Sequence, residues 1–121
     1  ISLGELVDKI SILKIKQNNI NDKEKLIHVE KELDFLEKTL LNYVKKKEID
    51  SYLDRLINVN SKLWKIEDDI RDCERNKNFT QKFIDLARSV YFTNDDRAKV
   101  KSDINKFFGS ELVEVKSYEE Y

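Results

Sequence analysis

Five acids, two arginines and the only cysteine crowd the twelve residues Trp64–Arg75, WKIEDDIRDCER. Arg71 stands four residues after Glu67 and three before Glu74, so on a helix these three side chains share a face. Two kinds of chemistry suit the pattern. One is a structural network, in which each i,i+3 or i,i+4 ion pair adds roughly 0.2–0.5 kcal/mol to the helix. The other is a ligand site, with Trp64 as an aromatic floor and the planar Arg71 fork binding a carboxylate or phosphate. Lysine cannot imitate that fork, and four of the five arginines (Arg71, Arg75, Arg88 and Arg97) fall in one stretch.

A second polar segment, FIDLARSVYFTNDDRAKVK, follows over 83–101. Arg88 and Tyr91 are three apart and share a helix face, while Asn94, Asp95 and Arg97 surround an expected helix N-terminus. Such a terminus presents free N–H groups and the positive end of a dipole to an anion. Simple capping by Thr93 or Asn94 explains the same residues without a ligand. Ser89 has no histidine near it in sequence, and the one histidine, His28, falls outside the apolar seam of its helix. Neither a Ser–His–Asp triad nor a histidine metal site is supported. The single Cys73 excludes an internal disulfide and a cysteine cage.

These residues need elements to hold them, and the apolar spacing supplies all-α ones. The absence of proline, with only two glycines, makes long helices the default. Ser2-Leu3-Gly4-Glu5 has the form of a capping box and opens a helix over about 3–18, with Leu3, Leu6, Val7, Ile10 and Leu13 on one face. Asp22 caps a second over 23–45, whose Leu26, Val29, Leu33, Leu36, Leu40 and Tyr43 keep heptad spacing. A third over 48–75 does the same with Ile49, Tyr52, Leu56, Val59, Leu63, Ile66, Ile70 and Cys73. The short polar turn between them predicts a long antiparallel helical hairpin. Asn78 opens a helix over 79–92, a turn at Thr93–Asp96 starts another over 95–108, and Gly109 stops it. The expected architecture is therefore one domain, 1–121, in which the hairpin packs with an N-terminal helix and a C-terminal helix pair. The tail 110–121 is extended or frayed. Beside the heptad seam of the third helix runs a second stripe: Leu53, Ile57, Asn60, Trp64, Glu67, Arg71 and Glu74. It begins apolar and ends charged, which predicts a shielded polar cluster at Glu67, Arg71 and Glu74, with Asp68, Asp69 and Asp72 facing water.

Bulk composition narrows the function classes. At 121 residues and a net charge of −1, there is no basic field to gather nucleic acid or anionic lipid. No apolar run is long enough for a membrane span or a signal peptide. A cytoplasmic protein, without nucleic-acid or membrane partners, is the expectation.

The pattern W-x-I-E-D-x-I-R-x-x-E, then L-A-R-S-V-Y-x-x-N-D-x-R-A, then K-S-Y resembles a family of small bacterial and phage proteins of unknown function. S-x-G-E-L-x-D-K-I at the N-terminus extends the likeness over most of the chain. Members often lie near glycosyltransferase and cell-surface sugar genes, which implies an accessory role in that chemistry. The resemblance falls on Glu67, Asp68, Arg71, Glu74, Arg88, Ser89, Tyr91, Asn94, Asp95, Arg97, Lys116 and Tyr118. Val115 stands where the family tail tends to carry a second glutamate.

Three functions follow as expectations. The first is a non-enzymatic binding or accessory module, with no cofactor, taking a small acidic ligand or protein partner at Trp64, Glu67, Arg71, Glu74, Arg88, Tyr91, Asn94, Asp95 and Arg97. An exposed heptad seam would add a homodimer. The second is a magnesium-dependent hydrolase similar to all-α nucleotide pyrophosphohydrolases, with Glu5, Asp8, Asp68, Asp69 and Asp72 as ligands. The third is a structural coiled-coil spacer.

Overall fold

A computed structural model describes residues 1–109 as four helices, and among these residues there is no strand. They are α1 (Leu3–Asn19), α2 (Lys23–Leu40), α3 (Lys46–Arg75) and α4 (Gln81–Phe108). Local signals account for most of the boundaries. The Ser2 hydroxyl accepts the Glu5 N–H at 3.2 Å and starts α1. The Asp22 carboxylate accepts from Glu24 and Lys25 and starts α2. Gly109 ends α4 at φ 67°, the left-handed conformation that glycine adopts without penalty. The tail expected to be extended or frayed, with Lys116 and Tyr118, lies outside the described residues.

α1 is the hub. Leu3, Leu6, Val7, Ile10, Leu13 and Ile15 are all buried, too wide an arc for a single interface. It packs on each of the other three helices, whereas among the described elements α2 has an extensive interface with α1 alone. Lys14 pairs with Glu37 and Gln17 bonds to Glu30, so α1 and α2 run antiparallel. α3 and α4 share the largest interface. Tyr52 meets Phe107 and Phe108, and Arg55 bonds to Asp103 at 2.9 Å, so this pair is also antiparallel. The hydrogen bond from Arg55 holds the Asp103 carboxyl below its ordinary pKa, with Lys99 adding to the effect. The arms of the heptad hairpin, α2 and α3, are thus splayed around α1.

Two boundaries correct the sequence reading. The turn at Thr93–Asp96 does not form, and the expected pair 79–92 and 95–108 is one continuous helix. Thr, Asn and Asp cost a helix interior only about 0.5–0.7 kcal/mol each, and packing of α4 on α3 and α1 outweighs that in the absence of a Pro or Gly. α2 stops at Leu40 instead of 45, where i→i+3 bonds from Asn42 and Tyr43 tighten the chain into a turn. Tyr43, expected in the seam, is accordingly 44% exposed.

At the N-terminal end of α1 the backbone itself makes contact. A Cβ on Gly4 would lie 2.6 Å from the Lys101 carbonyl oxygen, and the Gly4 N–H donates to Asn105 Oδ1 at 2.8 Å. Four residues on, Asp8 meets Arg97, so α1 runs antiparallel to α4 and in the direction of α3. No helix among the described residues is long and apolar enough to cross a membrane.

Candidate functional site

The polar centre lies where α1, α3 and α4 meet, and it is built on Asp8. That carboxylate is 2% exposed, yet every direction around it is satisfied. From α4, Arg97 Nε donates to Oδ1 at 3.0 Å and Nη2 donates to Oδ2 at 2.5 Å, a bidentate pair. From α3, the buried Asn60 donates through Nδ2 to Asp8 Oδ1 at 2.8 Å and to Ser11 Oγ at 2.7 Å. Ser11 in turn donates to the Asp8 carbonyl at 2.6 Å. Lys101 Nζ stands 3.9 Å from Oδ2 and also pairs with Glu5. A buried carboxylate without such partners would be strongly destabilising, so the network pins three helices in one register.

Arg97 reaches the surface, its side chain 30% exposed. Hydrogen bonding to Asp8 raises its pKa above the ordinary value, partial burial opposes this, and the charges of Asp8, Glu5 and Glu67 add to the rise. The guanidinium therefore stays charged at any working pH. It borders a cleft of about 250 Å³ lined by Ile12, Ile15 and Lys16 of α1, Asn60, Leu63, Trp64 and Glu67 of α3, and Arg97. The cleft lining combines apolar Ile12, Ile15 and Leu63, the Trp64 indole and four polar side chains, of which Asn60 is buried. The cleft is somewhat smaller than the roughly 300–1,000 Å³ typical of small-molecule sites.

Of the residues singled out in the sequence, the structure brings Trp64, Glu67 and Arg97 together here. Arg71, Glu74, Arg88, Tyr91, Asn94 and Asp95 are exposed and do not line the cleft. The shielded cluster expected at Glu67, Arg71 and Glu74 is not formed. Arg71 bonds to Asp68 at 3.4 Å, both well exposed, and Glu74 pairs with Lys77 at 3.6 Å. The reason is the length of α1: Lys16 is level with Glu67, and α1 ends three residues later at Asn19. Beyond that point nothing among the described residues shields the stripe on α3, where Arg71 and Glu74 are exposed.

The acidic residues of the magnesium reading are engaged otherwise. Asp68, Asp69 and Asp72 pair with Arg71, Lys65 and Arg75, while Glu5 and Asp8 pair with Lys101 and Arg97. Among the described residues no group of three or more His, Cys, Asp or Glu side chains is arranged to hold a metal ion. Ser89 bonds back to the Asp85 carbonyl of its own helix, and Cys73, near the end of α3, is buried.

Sequence reasoning missed Asn60, Ser11 and Lys16 as site residues, and read Asp8 only as a metal ligand. One signal was available. Asn60 sits in the stripe between Ile57 and Trp64, where an apolar side chain would be expected, and Asp8 interrupts the apolar face of α1 between Val7 and Ile10. Two polar interruptions of apolar faces on different helices are the mark of a buried pair.

The chain belongs to the family described as Family of unknown function (DUF6165), whose pattern it matches over residues 1–121. No curated protein and no solved structure matches it.

Proposed function

We propose, for this member of that family, a non-enzymatic binding module whose cleft between α1, α3 and α4 takes a small ligand with one acidic group. The supporting observation is Arg97: its Nε and Nη2 are fixed by the buried Asp8, leaving Nη1 outside that pair at the edge of a cleft walled by Trp64. Pre-positioning of this kind lowers the entropy cost of binding. The charge balance limits the ligand. Lys16 and Arg97 are offset by Glu67 and Asp8, so a polyphosphate finds no excess of positive charge. A single carboxylate or phosphate, with hydroxyls for Asn60 and Glu67 and a flat face for the indole, suits the lining better. The setting we assign is cell-surface sugar metabolism, on the resemblance to proteins whose genes lie near glycosyltransferases. A catalytic role has less support, because the buried carboxylate is committed to Arg97 and Ser11 to the Asp8 carbonyl.

Trp64 is the only tryptophan, so its emission reports the cleft directly. Titration with uronic acids, phosphosugars, simple carboxylates and nucleotides should give a saturable change for the singly acidic sugars. Lys16→Ala should weaken that binding about tenfold, the size expected for one charge-assisted hydrogen bond. An emission that no member of the panel alters at millimolar concentration would remove the ligand reading.

A further inference from the structure

The motif residues Arg88, Tyr91, Asn94 and Asp95 take no part in the cleft, and they share one exposed face of α4. Ile84, Ala87, Tyr91, Asn94 and Ala98 step by 3, 4, 3 and 4 along that face, and each is exposed. α4 thus carries two seams. Phe83, Leu86 and Val90 form one and are half-buried, while every member of the outer heptad stripe is exposed among the described residues. Its large members are conspicuously solvated: Ile84 is 47% exposed, Tyr91 67% and the adjoining Phe92 55%.

We infer that this face is the interface of a homodimer, in which α4 packs antiparallel on α4 of a second copy about a two-fold axis near Tyr91. Charge complementarity identifies the occupant. Arg88 lies three residues before Tyr91 and Asp95 four residues after it, so antiparallel pairing about Tyr91 sets Arg88 beside Asp95 of the partner subunit, twice. The same operation sets Ile84 against Ala98 of the partner subunit, large against small. A parallel pairing would set like charges together. Self-complementarity of this sort is the requirement of an isologous interface, and no unrelated partner would impose it. The small Ala87 and Ala98 allow close approach of the two helices. Three of the side chains are already ordered in the single copy, with Tyr91 edge-on to Phe92 at 5.6 Å and Arg88 over the Phe92 ring at 5.8 Å. Less side-chain freedom is then lost on association. The inference is independent of the ligand reading, since none of these residues lines the cleft.

Sedimentation equilibrium on the full chain tests it. The wild-type protein should be a reversible dimer. Arg88→Glu and Asp95→Arg should each weaken dimerisation by about tenfold or more, as expected for one member of a close interfacial charge pair. The double variant, with both charges reversed, should recover most of the loss. All these side chains are exposed, so helical circular dichroism should be the same for every variant. A wild-type chain that stays monomeric to the solubility limit would overturn the inference and leave the face to a partner of other chemistry. A dimer indifferent to both single reversals, or a double variant no tighter than the singles, would overturn it as well.

Discussion

At the scale of single residues, the centre of this protein is asymmetric. Asp8 is almost wholly buried, whereas the Arg97 side chain is 30% exposed, so removing either partner leaves a different orphan. Arg97→Leu strands a buried carboxylate with only Asn60 and the more distant Lys101 near it. Loss of one partner from a buried pair costs about 3–5 kcal/mol, and this variant should fall in that range. Asp8→Asn keeps the shape and an oxygen to accept from Asn60, and Arg97 can turn to water, so about 1–2 kcal/mol is expected. Urea denaturation of the two variants should therefore rank Arg97→Leu as the less stable. An equal loss in both would mean that the pair matters through its mutual attraction alone. Because the Arg97 pKa is raised, its share of stability is complete below the ordinary arginine range and is lost only as pH rises through the raised value. No pH dependence below about 12 should come from its own titration.

At the scale of elements, the close approach of α1 to α4 rests on Gly4. A methyl there meets the Lys101 carbonyl oxygen at 2.6 Å, and that atom is backbone, which cannot rotate away. Alanine would gain up to about 1 kcal/mol of helix propensity at an unconstrained site. Here the overlap should win, at about 1–3 kcal/mol for a crowded contact. Gly4→Ala is accordingly expected to lower the melting temperature, and a raised one would show that the helices separate freely. The packing of α1 as a whole explains what the sequence could not disclose. The apolar faces of α1, α2 and α3 were readable: Leu3, Leu6, Val7, Ile10 and Leu13, then Leu33, Leu36 and Leu40, then Ile49, Leu56, Val59 and Leu63 are all buried where the spacing placed them. A heptad seam declares that a helix has a partner without naming it, and only contacts such as Lys14 with Glu37 and Asp8 with Asn60 settle that α1 fills the space between α2 and α3. The stripe from Asn60 through Trp64 to Glu67 was legible as a line on α3. Its further members Arg71 and Glu74 were misplaced because their shielding depended on where a different helix, α1, would end. The continuous α4 was hidden for a related reason. The polar run Thr93–Asp96 has the local preference of a turn, and it is tertiary packing that holds it helical.

At the scale of the whole molecule, the four helices are of unequal length, and stability should be unequal too. α1 covers α3 and α4 only as far as the cleft, so the hairpin end of the α3–α4 pair, formed by 66–75 and 81–92, stands as two helices without a third among the described residues. Cys73 is the only fully buried side chain in that end, at 3% exposure, while Leu56, Val59, Leu63, Val100 and Ile104 are buried in the part that α1 covers. A two-helix end with so little burial should open below the free energy of global unfolding. The chain carries one probe for each region, because Cys73 is its single cysteine and Trp64 its single tryptophan. Under mild urea, and at protein concentrations low enough to keep the chain monomeric, thiol labelling of Cys73 should proceed by an opening that leaves Trp64 emission unchanged. Its free energy should depend less steeply on urea than global unfolding does, since less surface is exposed. Labelling that matches the fluorescence transition in both midpoint and slope would show instead that the hairpin end and the body melt as one unit. The cleft and the proposed dimer face would then sit on a single cooperative block, and events at one would carry the full stability of the other.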